Sequence, residues 1–341
     1  MGHTLQFVAC TLLTTLALVF PVSAQTVLKL NSQWPATTAG SKIDQWFAEE
    51  VGKRTNGQVQ VKVYWSEALG KATEMLGLMQ SGAIEMAAMS SAYYPKQLPF
   101  HAAPNSLPMA MDTVQQANLL IRRLVTEVPA YVEEAEDNGV RPLFFHHLNP
   151  YLLVSKQPIL KIDDMKGRKM RTWGTDMPRM VQAAGGTPIN LALPEIYESL
   201  NSGVIDSAPF AVDLIVNYKI YEVAKNVSEI TLWLGPSWGL WINQASWQKL
   251  TPEQQAIFIS IAADAARRDL EVTIAAEKSA RDELAKRGVV FHPFPEAEKA
   301  KWRTANPDFF ADFIATMDKE GKGNAARQTI GIWKQVVGAA N

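Results

Sequence analysis

From residue 26 onward the apolar positions switch repeatedly between a period of two and a period between three and four. Val27–Asn31 alternates and predicts a strand. Ile43, Trp46, Phe47 and Val51 recur at threes and fours, which predicts an amphipathic helix over 41–55 that Asn56-Gly57 stops. Val59, Val61 and Val63 then share one face of a strand over 58–64. A second helix runs to Ser81 with Gly82 past its end, and Ala83–Met89 predicts a third, buried strand. Strands alternating with helices in this way form a parallel α/β lobe.

The second half repeats the theme. Lys166 to Phe210 predicts strand, helix, strand, helix, strand: Arg168–Thr172 is extended, Met177–Ala184 has helical spacing, Pro194 opens a helix that Gly203 caps, and Val204–Ala208 is a short buried strand. Residues 80–87 (QSGAIEMA) and 201–208 (NSGVIDSA) echo each other. Generic helix-to-strand links also carry glycine there, but eight aligned positions of like character favour two related halves. Between them, Pro95–Pro108 reads as an irregular excursion before a helix over 113–124. Val140–Val154 holds two extended runs broken at Asn149-Pro150, a crossing between lobes, and Leu232–Asn243 is the return. Thr251-Pro252-Glu253-Gln254 is a capping box. The helix it opens extends to Arg287, about 36 residues or roughly 54 Å, too long for one small lobe. A strand and outer helices complete the chain.

Composition narrows the function. The 341 residues are 47% hydrophobic, enough for two lobes. Lysine plus arginine number 33 and aspartate plus glutamate 34, so there is no excess of basic charge for nucleic acid or a membrane surface. Cys10 is the sole cysteine, which excludes an internal disulfide. Residues 5–20 are apolar and lead to Pro21 and Val22-Ser23-Ala24, a secretory signal ending at Ala24, although Met1–Thr4 lacks lysine and arginine. The other reading is a membrane anchor, for which the run is short. The expected division is a signal at 1–24, one lobe of 26–148 plus about 236–265, and a second of 149–235 plus about 266–341 with the C-terminal helices.

Ligands of open α/β sheets sit beyond the carboxyl ends of the strands. Trp34, Tyr93, Tyr94, Trp173 and Phe210 each follow a predicted strand, and Trp238 lies near the return crossing. Singly, each is an ordinary core or rim residue; as a set at equivalent ends they suggest an aromatic pocket. Arg171 ends its strand and has the planar fork that suits a carboxylate, though a surface arginine beside Lys166, Arg168 and Lys169 is the plainer reading of the residue alone. Gly235-Pro236-Ser237-Trp238-Gly239 fits a nucleophile elbow, but Leu240-Trp241-Ile242 looks extended where a helix is required. His146-His147 has no metal spacing, and no glycine-rich phosphate loop is present.

KGRKMRT at 166–172, GGTPINLALPEIYESLNSGVIDS at 185–207 and YKIYEVAKN at 218–226, with FAEEVGKRTNGQVQVKVYW and EALGKATEMLGLMQSGAIEMA earlier, resemble the DctP-like substrate-binding proteins of tripartite ATP-independent periplasmic (TRAP) transporters. The resemblance covers nearly the whole chain after residue 25. It implies a two-lobed periplasmic binding protein fold of α/β class with a long helix spanning both lobes, no catalysis, no cofactor and no metal. It implies a monomer in the periplasm that hands a small organic acid to membrane permease subunits, with Arg171 gripping the carboxylate and Ser90 and Tyr93 facing the ligand. Many members carry an arginine near Tyr151, where this chain has Asn149-Pro150-Tyr151, and Ser207-Ala208-Pro209-Phe210 replaces the family's glycine, acid and asparagine. The expected ligand is therefore an aromatic or hydrophobic monocarboxylate. An extracytoplasmic sensor and a periplasmic serine hydrolase built on Ser237 are the rival readings.

Overall fold

The computed structural model describes residues 25–338; the apolar run at 5–20, Cys10 and the Ala24 boundary lie outside the described residues. In chain order the strands are β1 (Thr26–Ser32), β2 (Val59–Tyr64), β3 (Met86–Met89), β4 (Val140–His147), β5 (Tyr151–Ser155), β6 (Lys169–Thr172), β7 (Thr187–Asn190), β8 (Ser207–Ala211), β9 (Asn226–Trp233), β10 (Pro236–Asn243) and β11 (Val290–Pro293). They form two sheets, β2-β1-β3-β10-β4 and β11-β9-β5-β8-β6-β7.

The two sheets share one plan. β1 lies between β2 and β3 with both pairings parallel, and β10 then joins β3 antiparallel. β6 likewise lies between β7 and β8, both parallel, and β5 joins β8 antiparallel. In each sheet the antiparallel strand comes from the far side of a crossing: β5 follows Asn149-Pro150, and β10 follows Leu234-Gly235.

The echo in the sequence marks this repeat. Helix Met75–Gln80 ends at Gly82 with φ 73°, and helix Ile196–Asn201 ends at Gly203 with φ 79°, each before a strand. A left-handed residue after a helix favours glycine, because a Cβ there is strained. The following acids play one role: Glu85 Oε2 accepts from Lys29 N at 2.8 Å, and Asp206 Oδ2 accepts from Lys169 N at 2.9 Å. Each lysine also donates Nζ to a carbonyl of the link, Ala83 or Gly203, at 2.5 Å. β1 and β6 are thus counterparts, and Arg171, two residues after Lys169, matches Asn31.

The long helix is Pro252–Lys286, and Thr251 Oγ1 accepts from Gln254 N as the capping box requires. Its Asp264 meets Arg54 at 3.1 Å on the first-sheet side, and its Arg281 meets Glu229 of β9 at 3.1 Å on the second. One helix therefore braces both sheets.

Three segments differ from expectation. The Pro95–Pro108 stretch contains a helix, Pro99–Ser106. Glu134, from the helix Pro129–Asp137, accepts from Phe100 N at 2.7 Å and His101 N at 3.0 Å, so this helix is capped from a distant segment. The strand expected at Val204–Ala208 begins at Ser207, and the return passage is two strands parted at Leu234-Gly235. The helix Gly323–Gly338 packs on the helix Val114–Glu127, and Trp333 Nε1 donates to Ala110 O at 2.9 Å.

Candidate functional site

Between the sheets a cavity is lined by Gln33, Trp34, Ser90, Tyr93, Asn105, Tyr151, Arg171, Trp173, Leu193 and Trp233. Its position follows from the topology. Gln33 and Trp34 follow β1, Ser90 follows β3, Arg171 and Trp173 stand at the end of β6, and Leu193 follows β7. These are carboxyl ends of parallel strands from both sheets, facing one another.

Arg171 is 2% exposed. Its Nε donates to Leu191 O at 3.1 Å, an η nitrogen reaches Tyr93 Oη at 3.5 Å, and its guanidinium lies 4.1 Å from the Trp173 ring centre. Among the described residues no carboxylate lies within ion-pair distance of it. Burial pulls its pKa below the usual arginine value, with the hydroxyls of Tyr93 and Tyr151 opposing. A buried cation without a counter-ion is an expensive arrangement, and here it faces a cavity.

Tyr93 joins the two sides. Its hydroxyl accepts from Leu193 N at 2.9 Å as well as from Arg171, so its own proton remains free for an acceptor in the cavity. Burial raises its pKa, with Arg171 opposing. Trp173 makes a second tie by donating Nε1 to Asn105 O at 2.7 Å. Gln33 Oε1 accepts from Ser90 N at 3.2 Å and fixes the adjoining floor. Tyr151 packs edge-on to Trp173 and Trp233, and its pKa is raised by burial. With these ties made, about 20 Å³ of free space remains, so a ligand enters only when the two sides part. Tyr93→Phe should weaken ligand binding by about tenfold or more, the worth of a hydrogen bond to a charged group, and lower unfolding stability by about 1 kcal/mol, since Leu193 N–H loses its acceptor. Calorimetric titration beside thermal denaturation separates the two effects.

Of the residues expected from sequence, Trp34, Ser90, Tyr93, Tyr151, Arg171 and Trp173 meet at this cavity, and Tyr94, Asn149, Phe210 and Trp238 do not line it. Tyr94 points into the core behind β3, where its hydroxyl donates to Ala72 O and accepts from Leu76 N. Asn149 donates to Asp213 Oδ1 at 2.9 Å and Thr273 O at 2.7 Å, binding the crossing to the long helix. Phe210 stacks behind Tyr151. Trp238 lies behind Trp34, ring centres 5.0 Å apart. Gln33, Asn105, Leu193 and Trp233 were not foreseen. Gln33 directly follows β1, a signal the sequence carried, whereas Trp233 ends β9, a strand whose bounds the sequence did not show. Leu193 contributes a backbone N–H and Asn105 a carbonyl, for which side-chain identity gives no signal.

A buried charged network stands behind this wall. His146 donates Nδ1 to Asp269 Oδ1 at 2.5 Å and Nε2 to Asp44 Oδ1 at 3.0 Å, and all three are fully buried. Burial alone would lower the His146 pKa, but the two carboxylates outweigh it and raise it to about 9. The imidazolium stacks on Trp238 at 3.7 Å and 14°. Gly40 permits this, because a Cβ there would meet Trp238 Cζ2 at 2.5 Å. A column thus runs from Asp269 on the long helix through His146 and Trp238 to Trp34 at the cavity. Nearby, burial pushes Asp213 up to about 6, with Asn149 partly offsetting it. Its raised folded-state pKa makes the charged form a liability, so this carboxyl subtracts stability progressively as pH rises from about 4 to 6 and fully above. Asp213→Asn should raise the melting temperature at pH 7 and change it little at pH 4, as scanning calorimetry at the two pH values will show.

The family of bacterial extracellular solute-binding proteins, family 7, known as DctP, matches residues 30–316. This chain belongs to that family. The match includes every residue that lines the cavity, and it agrees with the resemblance carried by the motifs around Arg171. A solute-binding protein of Roseobacter denitrificans is 27% identical over 270 residues, 77% of this chain and 79% of its own length. Among solved structures, a TRAP periplasmic solute binding protein of Desulfovibrio salexigens with bound orotic acid has a TM-score of 0.83 at 21% identity, covering 92% of this chain and 99% of that one. One from Roseobacter denitrificans with bound L-galactonate has a TM-score of 0.74 at 25% identity, covering 82% and 93%. For this family 7 chain the elbow-like Ser237 lies inside β10, with no helix directly after it.

Proposed function

We propose that this family 7 protein captures a small organic carboxylate between its two sheets in the periplasm and delivers it to the membrane permease of a TRAP transporter. The buried Arg171 guanidinium, facing the cavity with no carboxylate partner among the described residues, carries the reading. A ligand carboxylate supplies the missing counter-ion. Its oxygens find two kinds of donor, the guanidinium N–H groups and the free Tyr93 proton. Tyr93 and Arg171 stand on opposite sides of the cavity, so one carboxylate engages both and holds the sides together.

The favoured ligand is a flat, largely apolar monocarboxylate. Among the described residues Arg171 is the one cationic side chain lining the cavity, and a second ligand carboxylate would be buried unpaired. Trp34, Tyr151, Trp173 and Trp233 supply aromatic walls worth roughly 0.5–1.5 kcal/mol per ring pair beyond burial. The orotic acid of the Desulfovibrio structure is a flat ring acid, which agrees with the shape of the preferred ligand but not with its apolarity. The L-galactonate of the Roseobacter structure is a polyhydroxy acid and marks the competing class. A thermal-shift panel of benzoate, indole-3-acetate, orotate, L-galactonate, pyroglutamate and succinate decides between them, since a ligand of the folded state raises its stability. Stabilisation by the ring acids above the others supports the reading. Stabilisation by galactonate or succinate alone refutes the aromatic preference and keeps the carboxylate.

A further inference from the structure

The cavity that holds Arg171 has a second polar corner, on the side of the first sheet. Gln33, which follows β1, Ser90, which follows β3, and Asn105, from the helix Pro99–Ser106, all line it. All three are buried. Gln33 Oε1 accepts from Ser90 N at 3.2 Å, and Asn105 Nδ2 donates to Ser91 Oγ at 2.8 Å. Two neighbouring residues thus anchor the two amides.

These anchors decide which amide atoms are left over. A backbone N–H can only donate, so the Gln33 oxygen faces Ser90 and its Nε2, with two N–H donors, is the free end. Ser91 Oγ spends its own proton on His101 O at 2.7 Å, and Asn105 Nδ2 also donates to that carbonyl at 3.3 Å. Both partners of Nδ2 are therefore acceptors, and Oδ1 cannot take its place. Gln33 Nε2, Asn105 Oδ1 and Ser90 Oγ make no hydrogen bond among the described residues. None of the three is sealed from solvent, whereas Trp34 Nε1 and Trp233 Nε1 on the same lining are. The corner offers a donor, an acceptor and a hydroxyl that can be either. Enclosing them with nothing to bond is costly.

We infer that Gln33 and Asn105 select a ligand whose body carries a neutral amide-like edge, a carbonyl beside an N–H, away from its carboxylate. This rests on the carboxylate reading proposed above for Arg171 and adds one polar edge to that ring acid. The ligand carbonyl accepts from Gln33 Nε2, and the ligand N–H donates to Asn105 Oδ1. A second carboxylate is disfavoured at this corner, because Asn105 Oδ1 would face it while Arg171 is engaged with the first. A wholly apolar edge is disfavoured because it would enclose both free amide atoms unpaired. A lactam ring is the simplest body that presents the two groups on one side.

Titration calorimetry with three acids on one ring frame tests this: 2-oxo-1,2-dihydropyridine-4-carboxylate, its N-methyl derivative and benzoate. The wild type should bind the lactam acid at least about tenfold more tightly than benzoate, and about fivefold or more tightly than the N-methyl derivative. Gln33→Met keeps the length of the side chain and removes its amide, so the preference for the lactam acid over benzoate should fall to within about threefold. A merely structural role of Gln33 would weaken both acids alike, so a preference retained in Gln33→Met overturns the inference. Benzoate binding the wild type as tightly as the lactam acid also overturns it and leaves the Arg171 reading standing. That comparison needs no variant and decides even if Gln33→Met fails to fold. An N-methyl derivative as tight as the lactam acid overturns the role of Asn105. Failure of all three acids to bind the wild type removes the carboxylate reading, and this inference with it.

Discussion

Replacing Arg171 with alanine is expected to weaken carboxylate binding by roughly 30-fold to several thousand-fold, the 2–5 kcal/mol typical when one partner of a buried charged pair is removed. Lysine should recover only part of this, because an ammonium cannot present the fork that engages a carboxylate and a tyrosine hydroxyl together. The same substitution should not weaken the unliganded protein. Arg171 there is buried with one carbonyl, one long contact to Tyr93 and the Trp173 face for company. Arg171→Met removes the desolvated charge and keeps much of the apolar contact, so its melting temperature without ligand should equal or exceed the wild type's. Loss of binding with retained stability is the signature of a side chain held for its ligand. Near-native affinity in Arg171→Ala, read by calorimetry, would falsify the clamp.

The second large effect belongs to the network behind Trp34. Asp269→Ala should cost about 3–5 kcal/mol of unfolding free energy, because it leaves His146 and His147 buried without their shared carboxylate. The network also predicts a pH dependence. His146 is raised to about 9 from an ordinary 6.5, so its contribution is complete below pH 6.5, shrinks as the pH rises and is gone above about 9. The change is on the order of 3 kcal/mol. Burial acts to raise Asp269, but His146 and His147 outweigh it and hold that carboxyl well below the usual range. Its contribution is present above the ordinary aspartate pKa and is lost on acidification. Asp44, pushed upward by burial with His146 opposing, subtracts from the total at neutral pH. Urea unfolding between pH 6 and 9.5 should show falling stability in the wild type and a flatter profile in His146→Phe. Equal slopes in the two proteins would mean that His146 is not charged in the folded state.

The sequence showed the architecture more readily than the pocket, for reasons visible in particular residues. Alternation located β1 and β2, extended runs located β4, β5 and β6, and a capping box located the long helix, each within a few residues. The helix Pro99–Ser106 was hidden because its cap, Glu134, comes from elsewhere in the chain, while its two prolines read locally as a break. At the end of β3 the tyrosines are adjacent. The short turn at Ser91–Tyr93 sends Tyr93 to the cavity and Tyr94 to the core, which adjacency in the sequence does not reveal. Trp34 follows a strand and Trp238 lies near the return crossing, and either could have faced a ligand; the two rings pack with centres 5.0 Å apart, and Trp34 is the one that lines the cavity. His146 and His147 read as an ordinary pair. Their acids, Asp44 and Asp269, lie on two other helices, and no local spacing announces that meeting.

The central claim is that Arg171 receives the carboxylate of a ligand enclosed between the two sheets. The most direct measurement is a crystal structure of the protein with the strongest stabiliser from the acid panel. The account predicts that carboxylate oxygens lie within hydrogen-bond distance, about 3 Å, of both the Arg171 guanidinium and the Tyr93 hydroxyl, with the ligand body against Trp34 and Trp173. A ligand whose carboxylate faces solvent or another cation, with Arg171 still held only by Leu191 and Tyr93, would contradict it.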